Sequence, residues 1–423
     1  MSDSPSDRRY ANYVLAILFL VYVFNFIDRT ILSILIEDVK RDLGVSDTAM
    51  GFLTGIAFAL FYTIAGIPIA RWADVGVRRS IIALGLVVWS LMTAASGLVQ
   101  SFAQLVGARI GVGIGEAAGS PPAHSLIADY FPPERRATAL SIYSTGIYVG
   151  VLFGYLAGGW INEFFGWRNA FFLVGLPGVA LALVVRFSVR EPPRGRSERV
   201  VADEPPEPWQ AVFRFLWSLP SFRHLSFGAG IAAFSGYGFA QWAPTFLRRV
   251  HDMSSGEVGT WLGLIIGFGG ILGAPLGGWL SDRKGQGDPR WYAWVPGVSA
   301  VAALPFVVGF LLFDSARPAL LVYFPAVVLS AMYLGPTLAM IQAMVRLRMR
   351  AMASAVLFLI LNLIGLGLGP QVVGALNDVL APRYGDEAVR YSLLFVSLTS
   401  AWAALHYALA ARTLRDDLQA KNR

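Results

Sequence analysis

The sequence predicts an all-α membrane protein, with twelve membrane-crossing helices arranged as two pseudo-symmetric six-helix bundles. Three observations predict it. The 423 residues are 56% hydrophobic and only 14% charged, with a mean hydropathy of +0.57, where a soluble chain carries about a quarter charged residues. Twelve apolar runs succeed one another, each near or above the ~20 residues that a tilted helix needs to cross a bilayer. The second six repeat features of the first at a fixed spacing.

In the first half the runs occupy 11–35, 50–72, 80–99, 102–128, 137–161 and 168–187. In the second they occupy 223–247, 258–280, 291–313, 319–345, 351–380 and 391–413. A transmembrane barrel would show alternating strands of ~10 residues, and none is seen. The N-terminal stretch to Tyr10 is short and basic, without the small-residue cleavage site of a removable signal peptide. With both termini placed inside, 24 of the 34 Lys and Arg residues fall in tails and inward loops, eight fall outside and two lie within spans. The positive-inside rule therefore predicts cytoplasmic termini and, for a chain of this kind, the plasma (inner) membrane. The same distribution explains the net charge of +7 as a topology signal, so no nucleic-acid partner is expected.

The chain divides into 1–190, a cytoplasmic linker 191–222 and 223–423. From Arg190 to Pro206 the composition is that of a flexible connector. Pro208 then opens a short helix with Trp209, Val212, Phe213 and Leu216 on one face, suited to lying along the membrane surface. The halves repeat. Pro122 precedes Arg136-Ala137 as Pro336 precedes Arg350-Ala351, an offset of 214 in both cases. Asp74 has a counterpart in Asp282, and Gly154 has one near Gly369. Six spans plus six around a central loop is a repeat architecture of secondary transporters.

Charges inside the spans mark the functional residues, since each costs roughly 2.5–3.5 kcal/mol on insertion scales and needs a partner or a wet cavity. Asn25, Asp28 and Arg29 share one helical face in the first span, and Arg109, Gly113 and Glu116 share one in the fourth. Asp28 and Arg109 each lie about seven residues from the outer end, so they are expected to pair, with Glu116 roughly 10 Å deeper than Arg109. Burial and a neighbouring guanidinium act in opposite senses on a carboxyl group. Asp28 and Glu116 are therefore the expected proton-coupling groups, with Arg109 exchanging between them.

Gly146, Gly150, Gly154 and Gly158 recur every fourth residue in the fifth span, a smooth stripe for close helix contact. Gly111-Val112-Gly113-Ile114-Gly115 imitates a dinucleotide loop but follows no strand, so nucleotide binding is rejected. Pro121-Pro122 is expected to kink the fourth span. No Cys is present and there are four His, of which His124 alone lies well inside a span. Neither a metal site nor a nucleophile–base pair assembles, so neither an enzyme nor a metal cofactor is expected. With no ATP-binding loop, the drive must be a gradient, and the titratable carboxylates favour protons.

These residues carry a family resemblance that covers essentially the whole chain. Asp74 and Arg78-Arg79 match the loop signature of the major facilitator superfamily, although Ala70 replaces its first Gly and Val75 its Arg. Gly278-Trp279-Leu280-Ser281-Asp282-Arg283-Lys284-Gly285 is the closer, second copy. The resemblance implies the major facilitator fold, a transporter working by alternating access, and a cytoplasmic gate at Asp74, Arg78 and Asp282. Tyr155 stands where the related antiporter motif has Pro, so the glycines are read as packing. Asn25-x-x-Asp28-Arg29, Arg109-x-x-x-Gly113-x-Gly115-Glu116-Ala117 and Ile127-Ala128-Asp129-Tyr130-Phe131-Pro132 resemble the spinster-like branch. That branch moves sphingolipids and lysophospholipids, and its bacterial members are treated as proton-coupled.

For the second half the expected cavity lining is Phe234, Tyr237, Gln241, Trp242, Tyr333 and Asn362. An amphipathic substrate would set its polar head at Asn25, Arg29, Arg109 and Glu116 and its tail at these aromatics. The alternative is a symporter of small organic anions or sugar acids, neutralised by Arg29 and Arg109. The expected partners are such a substrate and membrane lipids, with the chain acting as a monomer.

Overall fold

The computed structural model describes residues 5–195, 208–346 and 349–420. The first half folds as α1 (Pro5–Leu43), α2 (Asp47–Thr54), α3 (Ile56–Val75), α4 (Arg78–Ala95), α5 (Phe102–Glu116), α6 (Ser120–Tyr130), α7 (Pro133–Phe165) and α8 (Trp167–Ser188). The short α9 (Trp209–Ser218) leads into α10 (Pro220–Val250), α11 (Ser255–Gly285) and α12 (Trp291–Leu312). Then come α13 (Ala316–Ser330), α14 (Leu334–Ala343), α15 (Arg350–Ile360), a π-helical segment (Leu361–Leu368), α16 (Gly369–Tyr384) and α17 (Ala388–Ala420). Each of the twelve predicted spans falls on helix. Among the described residues nine helical segments are long and apolar enough to cross a membrane, and one of them, Arg350–Gln419, holds two predicted spans. The two spans outside those segments are the fourth, which is broken and charged, and the seventh, which holds four Gly, two Ser and Gln241.

The internal repeat is visible in the helix ends. α5 and α13 start at 102 and 316 and end at 116 and 330, and α6 and α14 start at 120 and 334, each pair 214 apart. Prolines fix the breaks: Pro121 and Pro122 open α6, and Pro336 lies in the first turn of α14. A proline ring nitrogen has no hydrogen to donate and its ring crowds the preceding turn, so a proline kinks or breaks the helix it enters, and here it coincides with a break. One register change follows. Arg136 and Arg350 are 214 apart, whereas Gly150 and Gly365, like Gly154 and Gly369, are 215 apart. The π-helical segment between Arg350 and Gly369 takes up the extra residue, because its wider turn holds one more position than an α-turn.

Close packing divides the chain into two units. One comprises Met1–Val45, Ala57–Asp203 and Ser254–Gly263, the other Ser46–Ile56, Glu204–Met253 and Leu264–Arg423. Each thus takes a short segment from beyond the connector. In the first unit Ser255 Oγ donates to the Gly159 carbonyl (3.0 Å), and Ser254 Oγ and the Gly256 N–H donate to Glu163 (2.7 and 2.6 Å). In the second, Asp47 at the start of α2 accepts from Arg249 (2.6 and 2.8 Å) and Asn377 (2.9 Å), while the Asp378 carboxylate caps the N–H groups of Asp47 and Thr48.

The connector is less free at its start than its composition predicts. Arg194 donates to the carbonyls of Ala73 and Gly76 (2.7 and 2.9 Å), the Gly195 N–H donates to Asp129 (2.9 Å), and the Arg190 carbonyl accepts from Tyr130 (2.6 Å). The rest of it, 196–207, lies outside the described residues. In α9 the predicted face splits: Val212 and Leu216 are buried with Leu219, Phe222 and Met344, whereas Trp209, Phe213 and Trp217 are exposed.

Candidate functional site

The glycine stripe of α7 places the charged face of α1. A Cβ on Gly150 would stand 2.5 Å from the Val23 carbonyl oxygen and 2.6 Å from Phe26 Cβ, and one on Gly154 would stand 2.9 Å from Thr30 Cβ. Backbone contact at this range fixes the rotation of α1. It turns Asn25 and Asp28 (4% and 1% exposed) inward, to the depth at which α5 presents Arg109 and Glu116 (3% and 1%). Gly113 leaves room for α3, whose Phe58 carbonyl oxygen is 3.1 Å from where a Cβ would lie.

The ion pair formed here is Arg29–Glu116, with Nε donating to Oε2 at 2.5 Å and Arg29 retaining 18% side-chain exposure. Arg109 meets Asp28 through the backbone, its Nη1 donating to the Asp28 carbonyl at 3.3 Å. The shared depth of Asp28 and Arg109 is therefore observed, but the side-chain pair expected between them is not the one made. Aromatic rings that sequence reasoning passed over surround the cations. The Arg29 guanidinium lies 5.1, 5.1 and 4.8 Å from the ring centres of Phe26, Phe58 and Tyr62, and Arg109 lies 5.5 Å from Phe58. The available signal was Phe58 and Tyr62 at i and i+4 on α3. Both Asp28 carboxylate oxygens, Glu116 Oε1, Arg109 Nε, Trp89 Nε1 and Thr93 Oγ1 are buried with no hydrogen-bond partner among the described residues. Trp89 and Thr93 of α4 are neighbours of Asp28. Two cations, two carboxylates and these open donors and acceptors make a site that is formally neutral and able to repartner.

The profile of the Major Facilitator Superfamily matches residues 18–370. The chain belongs to that superfamily, in its spinster-like branch. An "MFS-type efflux pump" of Mycolicibacterium smegmatis is 35% identical over 99% of this chain and 96% of its own length. Protein spinster homolog 1 of Mus musculus is 27% identical over 97% of this chain and 82% of its own. The crystal structure of a bacterial homolog to the human lysosomal transporter spinster, in an inward-facing and unoccupied conformation, superposes with a TM-score of 0.86 at 34% identity, over 96% of this chain and 98% of that one. The protein is a multi-pass membrane transporter.

Of the transporter's expected gate residues, Arg78 is the centre of a buried network. Its guanidinium donates to Glu191 (2.7 Å), Asp129 (2.5 Å), Ser125 (2.8 Å) and the Pro192 carbonyl (3.0 Å). Asp129 stood in the quoted sequence pattern, whereas Glu191 fell in the connector, where nothing marked it. Asp74 is exposed on the surface. Asp282, in the second unit, is exposed and accepts from the Tyr292 hydroxyl at 2.6 Å.

The six expected lining residues of the second half do not form one set. Trp242 is fully buried, its indole N–H donating to the Pro370 carbonyl at 2.9 Å, so it serves helix packing. Tyr237 and Tyr333 are half-buried against the core around Leu357 and Met340. Phe234 and Gln241 are half-buried on α10, and Gln241 Nε2 has no hydrogen-bond partner among the described residues. Asn362 is half-buried in the π-helical segment.

Proposed function

We propose that this transporter moves an amphipathic, lipid-like molecule of the sphingolipid or lysophospholipid class by alternating access, driven by protons. The observation that carries the reading is the buried group of Asp28, Arg29, Arg109 and Glu116. A carboxylate that loses its proton gains attraction to a nearby guanidinium, and one that gains a proton releases it. With Arg29 held by Glu116, proton transfer to that carboxyl frees a cation for the anionic head of a substrate, and proton transfer to Asp28 weakens the attraction on the neighbouring Arg109. Phe26, Phe58 and Tyr62 around Arg29 offer the apolar flank that such a head group brings with it. Membership of the spinster-like branch supports a cargo of this kind. The basic loops support an inner membrane location with cytoplasmic termini, and the network at Arg78 supports a part for that residue in a cytoplasmic gate, for which Asp74 and Asp282 are the other residues proposed.

Uptake of labelled lysolipid into proteoliposomes under an imposed pH gradient tests this. Asp28→Asn and Glu116→Gln are expected to abolish the response to the gradient, and full retention in both would sink proton coupling at these groups. Competition by a sugar acid rather than a lysolipid would transfer the site to small organic anions.

A further inference from the structure

Away from the charged site, the transporter has a concavity of a different chemistry. A groove of about 520 Å³ opens between Leu272 and Leu276 of α11, Phe306 of α12, and Phe324, Val328 and Leu329 of α13. All its lining side chains are apolar, and its volume is in the range of small-molecule sites. Each of the three helices carries an internal proline, Pro275, Pro305 or Pro325, and such prolines bend a helix axis.

The groove does not end on neutral surface. Leu272, Leu276, Trp279 and Arg283 stand at i, i+4, i+7 and i+11, a single stripe along α11. From Leu272 to Arg283 the stripe runs about 16 Å, close to half of the roughly 30 Å hydrocarbon core and hence one leaflet. At its far end the Arg283 guanidinium lies 5.3 Å from the Trp279 ring centre and the Lys284 ammonium 5.6 Å from that of Trp291. Both cations are exposed, and the neighbouring Asp282 carboxylate is engaged by the Tyr292 hydroxyl. Trp side chains of this kind sit at the head-group level of a bilayer.

We infer that this face of α11, α12 and α13 binds an anionic phospholipid of the bilayer, with an acyl chain in the groove and its phosphate at Arg283 and Lys284. A zwitterionic lipid would gain less from the paired cations, since its own ammonium offsets its phosphate, and a free anion has no use for the groove. The spacing between the two matches a lipid that supplies both.

The test uses the purified, delipidated transporter and native mass spectrometry with phosphatidylglycerol and phosphatidylcholine of identical acyl chains. Phosphatidylglycerol is expected to be retained preferentially. Arg283→Gln, which removes one cation, is expected to weaken that retention about fivefold while leaving phosphatidylcholine unchanged, and Leu276→Trp, which fills the groove, is expected to weaken retention of phosphatidylglycerol as well. Arg283→Gln changes an exposed residue at a helix end, so it carries the test if Leu276→Trp does not fold. Equal retention of the two lipids, or phosphatidylglycerol binding unchanged in Arg283→Gln, overturns the inference. So does displacement by the transported substrate, which would make the groove a cargo site, or equal competition by glycerol phosphate, which would make it an anion site alone.

Discussion

The fourth and tenth spans have one backbone plan and two chemistries. Both start, break and resume at positions 214 apart. Yet Arg109, Gly113 and Glu116 of the fourth correspond to Tyr323, Val327 and Ser330 of the tenth. Where Arg109 lies 5.5 Å from the Phe58 ring, Tyr323 is buried and stacked on Phe310 with ring centres 4.3 Å apart. The break is therefore set by the shared proline, Pro122 and Pro336, while the charge is an addition confined to one copy. The difference teaches that the helix interruption is scaffold and the ionic site is function laid on it.

The largest expected effect comes from breaking the charged copy. Glu116→Ala leaves Arg29 without its carboxylate and should cost about 3–5 kcal/mol, towards the lower end because Arg29 keeps 18% side-chain exposure. Thermal unfolding in detergent measures it. Replacing both partners, as Arg29→Met with Glu116→Leu, should recover most of that stability while transport stays lost, which separates the pair's role in function from its role in folding. Making the neutral copy charged comes next. Tyr323→Arg puts a cation among Phe310 and Phe239 with only Ser330 where the fourth span has Glu116, and should cost about 2.5–3.5 kcal/mol. An unchanged melting temperature would break the comparison.

The fifth and eleventh spans extend it. Gly150 faces Val23 and Phe26 of α1, and a Cβ on Gly365 would stand 2.6 Å from Ala233 Cβ of α10. Gly150→Ala and Gly365→Ala should each destabilise by about 1–3 kcal/mol. If only the first did so, the one-residue register change at the π-helical segment would not be preserving an equivalent contact. The smallest effect is expected at Gly113→Ala, below about 1 kcal/mol, because its Cβ would need the Phe58 carbonyl to yield by only a few tenths of an ångström. Gly236→Ala, with open space around it, is the control.

Much of the site was legible in order along the chain. The α7 glycines recur every fourth residue, and a stripe of hydrogens can only mean close contact. Asp28 and Arg109 shared a depth by counting residues from the span ends, and they do meet. What counting could not supply was rotation. Arg29 was placed on the same face as Asp28, and the few degrees that send its guanidinium to Glu116 depend on how α1 seats on α7. Glu191 reached Arg78 across 113 positions from a stretch whose Pro and Arg content reads as loose chain. The exposed aromatics of α9 were read with its buried residues because a heptad pattern does not say how wide the covered stripe will be.

The sequence by itself determined the spans, the repeat, the two helix breaks and the residues that carry charge into the membrane. These follow from local rules: the free energy of apolar transfer, the missing proline hydrogen and the cost of a buried ion. Tertiary structure alone decided which cation meets which carboxylate, which aromatics flank them, and where one residue had to be absorbed by a wider helical turn. Those outcomes depend on the rotation and translation of helices dozens of positions apart, and packing of side chains against a neighbouring backbone is what sets them.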